Sequence, residues 1–259
     1  MTRTIQQLFD LSGKTALVTG GSRGLGLQLA QALGEAGAKI MLSSRKAEDL
    51  EESAATLKKA GIAVDWIAAD CAQEADIRSL ADQTIKRFGH VDILVNNAGA
   101  TWGAPAADYP DEAWHKVMNL NVNAPFFLAR EVGKRCMIPR QKGKIITIAS
   151  VAGLKGMGAG VTTVAYNTSK AAAINLTRAL AGEWGQYNIN VNAICPGFFP
   201  SKMSAGLLST IGEAVIARSP LKRLGGEEDL MGAVVFLASE ASRHITGQYI
   251  AVDGGSSAI

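Results

Sequence analysis

The sequence predicts a doubly wound α/β fold in a single domain, with a parallel sheet of about seven strands and helices on both faces. Three observations carry that prediction. Short apolar runs rich in β-branched residues alternate with longer Ala- and Leu-rich segments of helical period along the whole chain. The short runs are apolar at nearly every position, as strands are when helices cover both faces of a parallel sheet. Composition never shifts, and no Pro/Ser-rich linker, internal repeat or low-complexity tract divides the 259 residues, a length that suits one large α/β domain.

Taken in order, Thr15–Thr19 is the first strand. The segment LGLQLAQALGEAG beyond it is amphipathic and ends at Gly37, giving a helix near 24–36. Lys39–Ser43 is the second strand, followed by a helix at 46–60. Ala63–Ala68 precedes a helix at 74–88, and Ile93–Asn96 precedes a long one at 111–136. Lys144–Ala149 leads to a helix at 165–185, Ile189–Ile194 to a helix at 226–238, and Tyr249–Val252 closes the sheet. Segment 198–225 breaks the rhythm. It holds Phe198, Phe199, Met203 and Leu207 and is longer than an ordinary connection, so it reads as a substrate lid, or else as a packed helix pair without special role.

Composition narrows the function classes. Apolar residues make up 47% of the chain, ample for a core, and a net charge of +3 with dispersed Lys and Arg excludes a nucleic-acid patch. Cys71, Cys136 and Cys195 are odd in number and lack metal-ligand spacing, and three histidines build no zinc site. They read as reduced thiols of a cytoplasmic protein. The opening MTRTIQQLFDLSGK has no long apolar run, and apolar stretches elsewhere are too short to span a membrane. A soluble protein without membrane or nucleic-acid partners is expected.

The first chemical signal is Thr19-Gly20-Gly21-Ser22-Arg23-Gly24-Leu25-Gly26, where Gly20, Gly24 and Gly26 stand in G-x-x-x-G-x-G spacing between a strand and an amphipathic helix. Missing β-carbons let a pyrophosphate approach the backbone, and the helix N-terminus offers unpaired N–H groups and a positive dipole end. A dinucleotide site built on Gly20, Ser22, Arg23, Gly24, Leu25 and Gly26 follows. Sites for NAD carry an acid near the end of the second strand to hold the ribose hydroxyls. Here that slot holds Ser44, with Arg45 next to it. No carboxylate repels a 2′-phosphate, and Arg45 and Arg23 could both pair with one, so NADP(H) is expected over NAD(H).

The second signal is Tyr166 and Lys170, four residues apart and therefore on one helix face. A phenol and an ammonium so placed can serve one site. Further along the same plan stand Asn96-Asn97-Ala98-Gly99 after the fourth strand, Asn121 within NLNVNAPFF, Ser150 within ITIASVAG, and Pro196-Gly197 followed by Ser201.

In this order and on this strand pattern the chain resembles the short-chain dehydrogenase/reductase family, from Leu11-Ser12-Gly13-Lys14 to Asp253-Gly254-Gly255. The resemblance implies a Rossmann-type sheet, a nicotinamide cofactor, a homotetramer or homodimer (the Ala-rich 170–182 stretch favours the tetramer), and a catalytic tetrad of Asn121, Ser150, Tyr166 and Lys170. It places Asp70 and Cys71 beside the adenine and Asn97, with Ala98 and Gly99, along the adenosine ribose. Pro196, Gly197 and Phe199 would border the nicotinamide, with the Ser201 hydroxyl, where Thr is commoner, on its carboxamide.

The implied reaction is reversible hydride transfer between nicotinamide and a carbonyl or secondary alcohol. Tyr166 would give the proton, Lys170 would favour the phenolate and hold the nicotinamide ribose, Ser150 would bond the substrate oxygen, and Asn121 would hold a water. The Ser150–Tyr166 separation of 16 is longer than in many members, and the extra length lies in LKGMGAGVTTVA. Trp102, Met157, Phe198, Phe199 and Met203 are expected to line the substrate pocket, with Arg218, Lys222 and Arg223 near the lid. Two substrate classes stay open, a 3-oxoacyl thioester and a keto-sugar acid as in gluconate 5-dehydrogenase. A non-catalytic cofactor-binding regulator or scaffold of the same fold is the alternative.

Overall fold

The computed structural model describes residues 2–156, 158 and 160–259, so Met157 lies outside the described residues. Seven strands form one parallel sheet: β1 (Thr15–Thr19), β2 (Lys39–Ser44), β3 (Val64–Ala68), β4 (Ile93–Asn96), β5 (Gly143–Ile148), β6 (Ile189–Pro196) and β7 (Tyr249–Val252). Their order is β3-β2-β1-β4-β5-β6-β7. The chain leaves β1 for β2 on one side and returns to β4 on the other. That reversal opens a crevice at the carboxyl ends of β1 and β4, the place where ligands enter sheets of this kind.

The helices are α1 (Ile5–Phe9), α2 (Gly24–Glu35), α3 (Ala47–Lys59), α4 (Glu74–Phe88), α5 (Asp111–Met118), α6 (Ala124–Val132), α7 (Ile138–Arg140), α8 (Val164–Trp184), α9 (Ala205–Arg218) and α10 (Met231–Ala238). Residues of β1 show why its apolar run is unbroken. Ala16 and Val18 join a buried cluster with Leu29 and Leu33 of α2, Leu57 of α3 and Val234 of α10. Leu17, between them, joins the opposite cluster with Leu80 of α4, Leu128 of α6 and Leu180 of α8. Each fully buried leucine or valine contributes roughly 1.5–3 kcal/mol, and both faces must be apolar to collect it.

Three elements depart from the sequence expectation. The N-terminal α1 went unforeseen, although Thr4 and Gln7 close a capping box on it. The long helix expected at 111–136 is three α segments joined by π turns at Asn119–Asn123 and Gly133–Met137. Each π turn holds the residue four before a proline, Asn121 before Pro125 and Arg135 before Pro139. Proline has no N–H to bond that carbonyl, so the helix widens instead of breaking. The helix expected from 226 begins at Met231, because the Asp229 carboxylate accepts from the Gly226 N–H and from Arg223 and ties 226–229 into a turn. Within the segment expected to be a lid, α9 has no buried residue.

Candidate active site

The glycine turn joins β1 to α2 through backbone shapes that side chains resist. Gly20 and Gly24 have φ of +63° and +53°, in the left-handed region glycine tolerates. A β-carbon on Gly26 would lie 2.1 Å from the Gly20 carbonyl oxygen, so the helix can start this close to the strand only with glycine there. One on Gly24 would meet only the Ser201 β-carbon, at 4.0 Å, which leaves the turn open on that side and sets Ser201 above it. Arg23 is the N-cap of α2 and its side chain makes no capping bond, so among the described residues the first-turn N–H groups have no side-chain acceptor. An open glycine cradle beneath uncapped N–H groups fits a pyrophosphate.

Asn97 braces that turn. Its amide donates to the carbonyls of Thr19 and Gly20 at 3.0 and 3.1 Å, while the Thr19 hydroxyl accepts from the N–H groups of Asn97 and Ala98, both at 3.1 Å. The side chain expected along a ribose thus also locks β4 to β1. At the end of β2 the Ser44 hydroxyl is buried without a hydrogen-bond partner, Arg45 is exposed and in no ion pair among the described residues, and Arg23 stands 3.6 Å from Asp49. Asp70, after β3, accepts from the Ala72 N–H at 3.0 Å. Neighbouring Cys71 is buried, and burial pushes its thiol up to about 12.

The expected catalytic residues come from three elements. Asn121 sits in the first π turn, where its amide donates to the Ala100 carbonyl and to the Ser169 hydroxyl, both at 2.9 Å, and its oxygen accepts from the Ala100 N–H at 2.8 Å. Ser150, just past β5, accepts from the Ala152 N–H at 3.1 Å and starts a 3₁₀ turn over Val151–Gly153. Tyr166 and Lys170 share one face of α8, with the Lys170 ammonium 5.5 Å from the phenol ring centre. Lys170 is buried and donates to the Ile148 carbonyl at 2.8 Å. Gly99 closes the group, since a β-carbon there would lie 3.2 Å from the Asn121 side-chain oxygen and 3.7 Å from the Lys170 nitrogen.

Burial disfavours charge on both α8 groups. It pushes the Lys170 ammonium down to about 8, which still leaves it protonated at neutral pH. The Tyr166 phenol moves up, with burial outweighing the downward pull of the Ser150 hydroxyl. The neutral phenol retains its proton.

Phe199 is buried, and a β-carbon on Gly225 would lie 2.4 Å from its ring. The N–H of Gly197 donates to the Val252 carbonyl at 2.9 Å, and the Ser201 hydroxyl is 3.0 Å from that of Ser204. A cavity of about 240 Å³ lies beside Phe199, Arg223 and Asp253–Ser256, under α9. It is lined by Phe198 and Phe199, but neither Tyr166 nor Trp102 and Met203, which are exposed, reach it.

A family model described as enoyl-(acyl carrier protein) reductase matches residues 20–257. The chain is 39% identical over 252 residues to gluconate 5-dehydrogenase of Gluconobacter oxydans, covering 96% of both. It belongs to the short-chain dehydrogenase/reductase family. A rhamnolipid-biosynthesis 3-oxoacyl-[acyl-carrier-protein] reductase of Pseudomonas aeruginosa is 40% identical over 95% of this chain and 97% of its own. Among solved structures, a gluconate 5-dehydrogenase of Burkholderia cenocepacia in complex with NADP and tartrate aligns at a TM-score of 0.93 and 36% identity, covering 99% of this chain and 100% of that one.

For a family member the sequence reading left three residues unread. Gly153 lets the turn after Ser150 touch α8, because a β-carbon there would fall 2.5 Å from the Lys170 carbonyl carbon. Ser169 links Asn121 to the Tyr166 carbonyl, to which its hydroxyl donates at 2.7 Å. Pro125 withholds an N–H from the Asn121 carbonyl. The proline at that spacing was a visible signal, whereas Gly153 and Ser169 needed the fold.

Proposed function

We propose that this short-chain dehydrogenase/reductase is an NADP(H)-dependent oxidoreductase that interconverts a keto-sugar acid and its secondary alcohol. The observation that carries the reading is the meeting of Tyr166, Lys170 and Ser150 beside an open glycine cradle whose second strand ends in Ser44-Arg45, with no acid. The cradle would hold the pyrophosphate, Ser44 and Arg45 the 2′-phosphate, and Asp70 and Cys71 the adenine edge. Asn97, Ala98 and Gly99 would follow the adenosine ribose, and Pro196, Gly197, Phe199 and Ser201 the nicotinamide side. When bound, the cofactor supplies or accepts the hydride.

The residues of the chain handle the proton. Burial holds Tyr166 neutral, so it has a proton to give as charge grows on the carbonyl oxygen. Ser150 donates a second hydrogen bond to that oxygen. Lys170 stays charged at neutral pH, with its pKa at about 8, and stabilises the phenolate left behind. The Asn121 side chain is spent on Ala100 and Ser169, which leaves its main-chain carbonyl, deprived of an N–H by Pro125, as the group to hold a water behind Lys170.

The gluconate dehydrogenase relatives favour the sugar acid; the rhamnolipid relative favours a 3-oxoacyl thioester as second reading. The relatives' names are those of catalysts, which gives the scaffold alternative no support. We place the chain in the cytoplasm as one domain, assembled as a homotetramer, with 198–225 as its lid; among the described residues no helix is long and apolar enough to cross a membrane. The test is NADPH oxidation at 340 nm with 5-ketogluconate and acetoacetyl thioesters. The Tyr166→Phe variant should lose roughly 10²–10⁴-fold in turnover and still bind NADPH. Unchanged turnover in that variant would sink the assignment.

A further inference from the structure

At the opposite end of the sheet, where β4, β5 and β6 begin, lies a second cavity of about 40 Å³. Lys14, Lys142, Lys144 and Arg243 line it, together with Asp92 and Glu240. Both acids are already engaged. Asp92 receives Arg140 at 3.1 Å, His90 at 3.0 Å and the Thr15 N–H at 3.0 Å. Glu240 pairs with Arg3 at 3.3 Å. Among the described residues none of the four cations has a carboxylate within ion-pair distance of its own.

Lys144 is the most telling of them. It is only 8% exposed, yet its ammonium bonds a neutral amide, the Asn190 oxygen at 2.8 Å. Taking a charge out of water with no carboxylate in ion-pair contact costs several kcal/mol, and such a charge attracts an anion. Lys14 and Lys142 crowd each other at the same mouth, and burial together with that neighbour pushes Lys14 below its ordinary value. Burial drives Lys144 down to about 8. A doubly charged oxyanion would relieve all three ammonium groups at once.

We propose that Lys14, Lys142 and Lys144 form a binding site for a small oxyanion of the inorganic phosphate type, at the far end of the sheet from the cofactor cradle. The site does not depend on the substrate assignment. Its occupant ties the starts of β1 and β5 together and stabilises the fold.

The test uses the enzyme saturated with NADP⁺, so that the cradle cannot take the probe. Inorganic phosphate is titrated against thermal unfolding at fixed ionic strength, with chloride as the balancing salt. The midpoint should rise as a saturable function of phosphate, as ligand binding to the folded state requires. In Lys142→Gln the half-saturating concentration should rise about tenfold or more, corresponding to ~1.4 kcal/mol, with turnover unchanged. No rise in the wild type, or the same rise in Lys142→Gln, overturns the proposal. Line broadening of the phosphate ³¹P signal, lost in Lys142→Gln, gives an answer independent of unfolding, and broadening equal in both proteins also overturns it.

Discussion

Replacing Lys170 by Met should stabilise the protein while abolishing its chemistry. The ammonium is buried and its pKa stands at about 8 against an ordinary 10.5. At ~1.4 kcal/mol per pKa unit, holding it charged below pH 8 costs the fold about 3 kcal/mol. Methionine fills much the same space without charge. The substitution strands the Ile148 carbonyl, which now accepts from Lys170 at 2.8 Å, and losing that bond returns about 1–2 kcal/mol. The net gain at pH 7 is about 1–2 kcal/mol, or roughly 2–8 °C for a chain of this size.

The sign of the pH dependence separates this reasoning from a generic packing effect. A lysine whose folded pKa is lowered binds fewer protons folded than unfolded between the two values. Wild-type stability therefore rises from about pH 8 to its ordinary 10.5, and the advantage of the variant shrinks over the same window. Urea unfolding of both proteins at pH 7 and pH 9.5 measures the difference directly, because Lys144 titrates alike in each. A variant less stable at pH 7, or an advantage that does not change with pH, would refute the argument.

Other substitutions address the cradle and its supports. Arg45→Asp should weaken NADPH at least about tenfold and improve NADH, since a carboxylate repels the 2′-phosphate and accepts ribose hydroxyls; equal loss with both cofactors would count against the pairing. Gly26→Ala puts a methyl 2.1 Å from the Gly20 carbonyl oxygen and should abolish cofactor binding, read by NADPH fluorescence. Ser169→Ala leaves one Asn121 donor unpaired inside the protein and should cost about 1–3 kcal/mol in urea unfolding, with turnover falling as α8 loosens. Retained stability there would show that the Ser169 link carries no weight.

The sheet was legible because burial on both faces leaves its strands mostly apolar, and the glycine turn was legible because its backbone excludes β-carbons. The helix expected at 111–136 is present and runs on to Arg140, but its two π turns were not read. Apolar periodicity continues through Pro125, and only the backbone count shows that each proline, Pro125 and Pro139, unbonds a carbonyl a turn earlier. The cradle residues and Tyr166-Lys170 are local in sequence, so spacing alone proposes them. The support beneath them is not local. Ser169 meets Asn121 across 48 positions, and the contact of Gly153 with α8 depends on how β5 and α8 lie together.

The anchoring of segment 198–225 has a consequence for how selectivity can change. Its roots are fixed: Phe199 is seated on Gly225, and the Ser219 hydroxyl and Leu221 N–H both bond the Gly254 carbonyl, at 3.2 and 3.1 Å. Between those roots α9 buries no residue, one face of it being half-buried and the other exposed, and substitutions at exposed positions typically change stability by less than about 0.5 kcal/mol. The exposed positions of α9 are therefore exchangeable. With 198–225 as the proposed lid, exchanging those positions should redraw what the site admits and leave the sheet and the glycine turn in place.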